Sequence, residues 1–338
     1  MSKLSEWRKN IFPPSTRSFD WKIGELKALA EKNNKLSYDI LINTTPVLLD
    51  KTSAQSVEIP PSSEFPIFNP SVIKTEAGFL FSLRESNFVV KGDGKTYDLR
   101  PERNTINRLV WTDDSLNVAR TSNLDDSIVR TQSDFAAMGI EDIRLFSWNN
   151  EIHGIGAGVN KNPASGVTVR QIIFKLTENA ITEFYVLPSP TDLNIEKNWS
   201  PLVSGGDLHL VYSLTPLVIY KFVSGNLELI KGDPKEIAEF ELRGGTPFVN
   251  CGDQFLSVAH IETFMIRGKR YGRHVFVTLD RSLDINAVSD PFFIRRKGVE
   301  FACGAQVYKD KFILSYGVSD TKANYSILDL DKILSFVR

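Results

Sequence analysis

The chain has 338 residues, enough for one large domain or two ordinary ones, and its 42% hydrophobic and 24% charged residues are those of a soluble globular protein. A formal net charge of −1 provides no global field toward nucleic acid or acidic membranes. Two cysteines, Cys251 and Cys303, exclude a disulfide framework or a four-cysteine zinc site, and the four histidines (His153, His209, His260, His274) show no metal-binding spacing, so neither metal nor cofactor is expected.

The opening stretch, MSKLSEWRKNIFPPS, lacks the apolar core of a signal peptide, and no later segment holds eighteen apolar residues in a row. A cytoplasmic protein without a transmembrane segment is expected. Asp20 is placed to cap a short helix through WKIGELKALAEK, with Ile23, Leu26 and Ala30 on one face and NNK as its exit. Residues 1–60 thus read as an extension with one short helix.

From there the chain is strand and turn. Five apolar runs share one plan, each ending in polar groups: GFLFSLRESN (78–87), EIHGIGAGVN (151–160), LHLVYSLTP (208–216), QFLSVAHIE (254–262) and KFILSYGVSD (311–320). The steps between Phe81, Ile155, Val211, Val258 and Leu314 are 74, 56, 47 and 56 residues. Such a period, with Val, Ile, Phe and Thr in the runs, predicts a five-bladed β-propeller over residues 61–338, all-β, with one four-stranded sheet per repeat. Turns are expected at Asp93-Gly94, Asn149-Asn150, Ser204-Gly205 and Gly252-Asp253. A sixth blade would need strands from 20–60. Polar groups at the same end of every repeat disfavour a pair of β-sandwiches. Because the inner strands of a propeller converge, those polar ends should meet in a central pocket.

Three motifs are placed to line it. Glu141-Asp142-Ile143-Arg144 precedes the apolar LFSW, where a first strand would pass the axis; a carboxyl among apolar walls there would stay protonated, as a general acid requires. The plainer reading is a solvated turn, or an ion pair with Arg144. Glu196-Lys197-Asn198-Trp199-Ser200-Pro201 offers a lysine and an asparagine ahead of a buried tryptophan, suited to phosphate or sugar hydroxyls, or else a lysine on a solvated loop. Arg243-Gly244-Gly245-Thr246-Pro247 admits close backbone approach, or marks a bulge. Other signals fail. GDGKT (92–96) lacks the first glycine of a P-loop, since position 89 is Val. The basic run Arg267, Lys269, Arg270 and Arg273 reads as a solvated hairpin tip rather than a nucleic-acid site.

Taken in order, these motifs resemble the five-bladed propeller of glycoside hydrolase family 130, the mannoside phosphorylases and their hydrolase relatives. Phe68-Asn69-Pro70 with Arg84 resembles the first-blade signature, and Asn107-Arg108-Leu109 with Trp111-Thr112-Asp113-Asp114 the second. Glu141-Asp142-Ile143-Arg144 is similar to that family's Glu-Asp-Pro-Arg, with Ile143 for proline. Lys197-Asn198-Trp199, Gly244-Gly245-Thr246-Pro247 and Tyr316-Gly317-Val318-Ser319-Asp320-Thr321 continue the series. A closer likeness is to a bacterial propeller module found beside or fused to glycosyltransferases of surface-polysaccharide synthesis. It shares residues 196–201, 243–245, Val299-Glu300-Phe301 with Gly304, and 315–320. Together the motifs span residues 64–330.

The resemblance implies that Asp142 is the general acid, protonating the leaving oxygen through a sugar hydroxyl while phosphate attacks the opposite face. It implies Asn69 and Asp320 in the donor sugar subsite, and Arg84, Arg144 and Lys197 as the positive charge for phosphate or a sugar-phosphate leaving group. Asn107, Arg108 and Asn198, in the matching motifs, join them as substrate-binding residues. One departure matters: where phosphorylases carry a His-Arg pair, this chain has Tyr212-Ser213-Leu214 before Thr215-Pro216; His260 with Glu262 could compensate, or be a binding pair, or the acid and base of a hydrolase. Three functions stand. The first is an inverting transferase or phosphorylase of a hexosyl, β-mannosyl, unit, acting on a sugar or oligosaccharide with phosphate, a sugar phosphate or a nucleotide sugar. The second is a non-catalytic glycan-binding propeller whose partner is a separate glycosyltransferase. The third is an unrelated scaffold on the same architecture.

Overall fold

The computed structural model describes residues 40–60, 64–90, 96–100, 102–162, 166–237, 242–261, 263–266 and 269–337. The helix expected within 20–32, the Asp93-Gly94 turn, Arg267 and Glu262 lie outside them.

Five antiparallel sheets form five blades. Blade one comprises Ile67–Thr75, Gly78–Ser86, Thr105–Thr112 and Val118–Asn123. Blade two comprises Ile140–Trp148, Glu151–Asn162, Gly166–Thr177 and Ala180–Val186, and blade three Ser200–Ser204, Asp207–Leu214, Leu217–Val223 and Asn226–Lys231. In blade four the first strand is split into Leu242–Arg243 and Val249–Cys251, both pairing Gln254–Ile261, followed by His274–Leu279 and Ile285–Val288. Blade five comprises Glu300–Tyr308, Lys311–Val318 and Lys322–Asp329, and its outermost strand is Val57–Ile59 from the start of the described chain. Residues within the stretch read as an extension therefore supply the last strand of the ring.

The second strands are apolar on both faces because each blade is packed between two others. Leu80 faces a core shared with blade two, while its neighbour Phe81 faces one shared with blade five. The same division holds for Leu210 and Val211, Phe255 and Leu256, and Ile313 and Leu314. Alternate side chains of a strand point to opposite faces, so a strand sandwiched this way reads as a continuous hydrophobic run. Among the described residues one apolar cluster lies at each of the five blade interfaces. Asn149 and Asn150 both have positive φ (53° and 61°), as a two-residue hairpin turn requires. In blade three the turn falls one residue later than expected, on Gly205-Gly206.

The inner strands of successive blades touch through specific bonds. Ser71 Oγ accepts from Leu145 N–H (2.8 Å), Pro201 O from Phe248 N–H (2.9 Å), and Pro70 O from Ser315 Oγ (2.7 Å). Among the described residues no helix is long and apolar enough to cross a membrane. The helix Leu48–Thr52 docks on the seam of blades four and five: Leu48 and Leu49 donate N–H bonds to Phe293 O (2.7 Å) and Ile294 O (3.0 Å), and both side chains are buried. Leu48→Ala should therefore cost about 3 kcal/mol in denaturant unfolding, whereas Ile40→Ala, at a residue 51% exposed, should change stability little. Equal effects would mean that this segment does not belong to the folded unit.

Candidate active site

The first strands of blades one, two and five each carry a bulge at the same end, the last of them between Ala302 and Gly304. The register slips between Phe68 and Ser71 in blade one and between Glu141 and Arg144 in blade two. Each of these two slips places a left-handed residue there, Asn69 (φ 47°) and Asp142 (φ 51°). Asn and Asp tolerate this conformation better than other side-chain-bearing residues, and a bulge re-aims the side chain out of the strand's alternation. Both point to the axis, where Asn69 Nδ2 donates to Asp142 Oδ1 (2.8 Å). Asn198 (φ 66°) and Asp320 (φ 52°) share this geometry at the same end of blades three and five. These four residues place backbone strain at the cavity end of their blades.

The side chains enclose a cavity of about 490 Å³ lined from all five blades. Asn69, Arg84, Asp142, Arg144, Lys197, Asn198, His260 and Asp320 line it, with Glu141. Asn107 and Arg108 are not among its lining residues. Asn107, 1% exposed, donates from Nδ2 to Ile140 O (2.8 Å) and so holds the strand that presents Glu141 and Asp142; Arg108 pairs with Glu85 (2.8 Å). Phe68, Phe88, Arg103, Arg270, Glu300 and Phe301 also line the cavity, and sequence reading did not name them as site residues, although Phe68 stands in the Phe68-Asn69-Pro70 motif. For Glu300 and Phe301 the signal was present in the Val299-Glu300-Phe301 motif.

Arg84 is the centre of the charge arrangement. Nη1 donates to Asp142 Oδ1 (2.9 Å) and Nη2 to Glu141 Oε1 (2.5 Å), and the guanidinium lies over Phe68, 5.0 Å from the ring centroid. Burial alone would weaken its charge, but Glu141 and Asp142 outweigh it and hold the guanidinium above its ordinary pKa. For Asp142 burial pushes the pKa up. The charge of Arg84, the Asn69 bond and the charge of Arg144 push it down further, so the carboxyl sits below its ordinary value and is ionised. Apolar walls holding a protonated acid are therefore not what surrounds Asp142 in the free protein. Its ion-pair partner is Arg84; Arg144 meets only its backbone oxygen (3.1 Å).

Arg144, 1% exposed, spends its other donors on uncharged acceptors: Nε on Gly245 O (2.5 Å) and Nη2 on Asn198 Oδ1 (3.1 Å). Gly245 is required by proximity, since a Cβ there would lie 2.3 Å from Val258 O. Gly317 is equally constrained, because a Cβ would lie 2.0 Å from Asn69 Oδ1. Lys197 is exposed and makes no ion pair among the described residues. One flank of the cavity therefore carries two positive charges with no carboxylate bonded to their side chains, a site for an anion. Arg270 reaches Asp320 (2.6 Å), and Arg273 is buried, so these two do not form the solvated tip expected. Among the described residues no group of three or more His, Cys, Asp or Glu is arranged to hold a metal.

His260 contributes no charge. Burial, then His274 and the cations Arg144, Arg243 and Lys197, hold it well below the ordinary imidazole value. His274 is pushed to about 3 by burial, with Nε2 accepting from Ala302 N–H (3.3 Å).

The molecule is thus a five-bladed propeller with a polar, charge-segregated cavity on its axis. No protein-family model matches the chain, and no curated protein matches its sequence. Its fold is that of the mannoside phosphorylases. A β-1,2-mannobiose phosphorylase from Listeria innocua superposes with a TM-score of 0.56 at 14% identity, over 82% of this chain and 95% of that one. A mannose phosphorylase from Leishmania mexicana, solved with phosphate, gives 0.56 at 13%, over 95% and 96%. A GDP-Man-dependent mannosyltransferase from the same organism gives 0.54 at 13%, over 83% and 92%.

The depressed His274 fixes one pH dependence. A base whose pKa falls on folding contributes stability that is full above its unfolded value, near 6.5, and lost as pH falls through the folded value, about 3. Unfolding free energy should decline across that window by up to about 1.4 kcal/mol per pH unit from this group, and His274→Gln should flatten the decline. An unchanged slope in the variant would remove His274 as its source.

Proposed function

We propose that the chain is a carbohydrate-active enzyme that moves a hexosyl unit, most simply β-mannosyl, in a single inverting displacement, and that Asp142 is its proton-transfer residue. The observation that carries the proposal is the pairing, in one cavity, of an ionised Asp142 gripped by Arg84 and Asn69 with the cations Arg144 and Lys197, whose side chains bond no carboxylate. A carboxylate that handles one proton and a separate anion site are what a displacement between a sugar hydroxyl and a phosphoryl leaving group needs. A phosphoryl group brings its own charge, so a second protein carboxyl is not required as it is in inverting hydrolysis. The phosphorylases and the mannosyltransferase of the same fold support this class.

The ionised state favours the synthetic direction. There the acceptor hydroxyl oxygen attacks the anomeric carbon and its proton passes to Asp142. The bond to the leaving phosphate breaks, and the electron pair departs onto oxygen held by Arg144 and Lys197. In reverse the same carboxyl, now protonated, is the general acid of phosphorolysis. Asn69 and Asp320 hold the sugar.

Asp142→Asn should keep the fold and donor binding but lower turnover by about 10²- to 10⁴-fold, the usual share of general acid–base catalysis. Thermal shift with sugar 1-phosphates, nucleotide sugars and manno-oligosaccharides finds the ligand first, because any compound that binds the native state raises Tm. Undiminished turnover in the variant would dismiss Asp142. The pH profile gives a further check: with the pKa of Asp142 depressed, synthesis should stay flat into the range where ordinary carboxylates protonate. Arg84→Gln, which removes the main lowering charge, should move the acid limb upward.

The second reading, a glycan-binding propeller assisting a separate glycosyltransferase, draws on the same fully paired Asp142, which needs no proton to bind a sugar. It predicts stabilisation by oligosaccharide alone and no turnover in wild type or variant.

A further inference from the structure

A second set of charges lies at the junction of blades four and five, beside residues that line the cavity but not lining it themselves. The loop between Ile285–Val288 and Glu300–Tyr308 presents Arg295, Arg296 and Lys297 in succession, all exposed. None makes an ion pair among the described residues, nor does Lys269 on the facing hairpin strand Lys269–Tyr271. Two neighbouring carboxyl groups are already committed. Asp320 is held by Arg270 (2.6 Å), and Glu300 is buried beneath the loop, taking the N–H groups of Ile294 (2.8 Å), Arg295 (3.1 Å) and Arg296 (3.1 Å).

These bonds fix the backbone of the loop, and Lys297 Nζ donates to Asn43 O (3.2 Å). Gly298 O accepts from Gly272 N–H (3.0 Å), Val299 O from Ser319 N–H (2.8 Å), and Ser319 Oγ from Arg296 Nη2 (2.7 Å). The hairpin, the loop and the Ser319-Asp320 turn are thereby tied into one rim. The rim is continuous with the cavity, because Arg270, Gly272, Val299, Glu300 and Asp320 also line it. Arg270 adds a buried Nε with no hydrogen-bond partner among the described residues. In a chain of net charge −1, this one-sided cluster is a local arrangement and not the background.

We infer that this rim binds the outer phosphate of a diphosphate-linked sugar donor. The inference rests on the proposed transfer of a sugar from a phosphoryl leaving group and narrows it. A sugar 1-phosphate or inorganic phosphate would engage Arg144 and Lys197 inside the cavity and have no use for the rim. A diphosphate carries a second phosphoryl group outward, onto guanidinium and ammonium donors that the held loop backbone carries and that suit its oxygens.

Titration of the whole chain with inorganic phosphate and inorganic pyrophosphate tests this directly. Pyrophosphate should bind about tenfold tighter or more, and the combined Arg295→Ala, Arg296→Ala and Lys297→Ala variant should lose about tenfold for pyrophosphate while keeping its phosphate affinity. The charge-conserving Arg295→Lys, Arg296→Lys variant should keep the preference, which separates lost charge from a damaged loop. Guanosine diphosphate and farnesyl diphosphate then distinguish a nucleotide from a lipid source: either one exceeding pyrophosphate upholds the assignment. Equal binding of phosphate and pyrophosphate, or an unaffected alanine variant, overturns the inference and leaves the transfer reading in place. Binding of neither anion overturns both.

Discussion

A guanidinium buried between two carboxylates of the next blade is the interaction on which the rest of this site depends. Arg84 comes from the second strand of blade one, Glu141 and Asp142 from the first strand of blade two. Taking one cation and two anions out of water is costly unless geometry and further hydrogen bonds compensate. Here the compensation is extensive. Asn69 adds a donor to Asp142, Phe68 faces the guanidinium, and Arg144 approaches from behind. The cluster therefore both joins two blades and sets the protonation state of Asp142.

Strain and packing share the burden of building it. Asn69 and Asp142 reach the axis only because each sits at a bulge in a left-handed conformation, a cost of order 1–3 kcal/mol apiece. The apolar seams on either side of every blade hold the strands rigid enough to sustain that cost. Gly317 and Gly245 allow neighbouring strands to come close enough for the inner contacts to form. Stability is thus invested between blades, while the axis carries polar, strained and charged residues.

Charge around the cavity is sorted. The Arg84 cluster is locally balanced to negative, whereas Arg144 and Lys197 stand without a bonded carboxylate. A ligand with a neutral sugar and an anionic leaving group matches that division, and one with two phosphoryl groups also matches the outer rim. The absent His-Arg pair of the phosphorylases is not replaced by a charged His260, which burial keeps neutral. Positive charge enters from blades two, three, four and five instead.

Much of the architecture was legible in the order of residues, because local rules produce it. Runs such as GFLFSLRES are apolar throughout since a strand between two blades buries both faces, and their spacing counted the blades. The motifs around Asn69, Asp142, Lys197 and Asp320 marked strand ends that converge. What sequence could not decide is set by distances across the ring. Asp142 was expected among apolar walls, but its ionisation depends on Arg84, 58 residues earlier. Arg270 looked like a hairpin tip until its partner Asp320, 50 residues later, was placed beside it. Asn107 and Arg108 belong to a motif of the site yet bond away from the cavity, to Ile140 O and Glu85. The ring closes through Val57–Ile59, more than 260 residues from its partner strand, a pairing with no local signature. Hydrophobic period is a property of neighbours in the chain and survives in the sequence. Charge state and pairing belong to neighbours in space, and only the closed propeller brings those together.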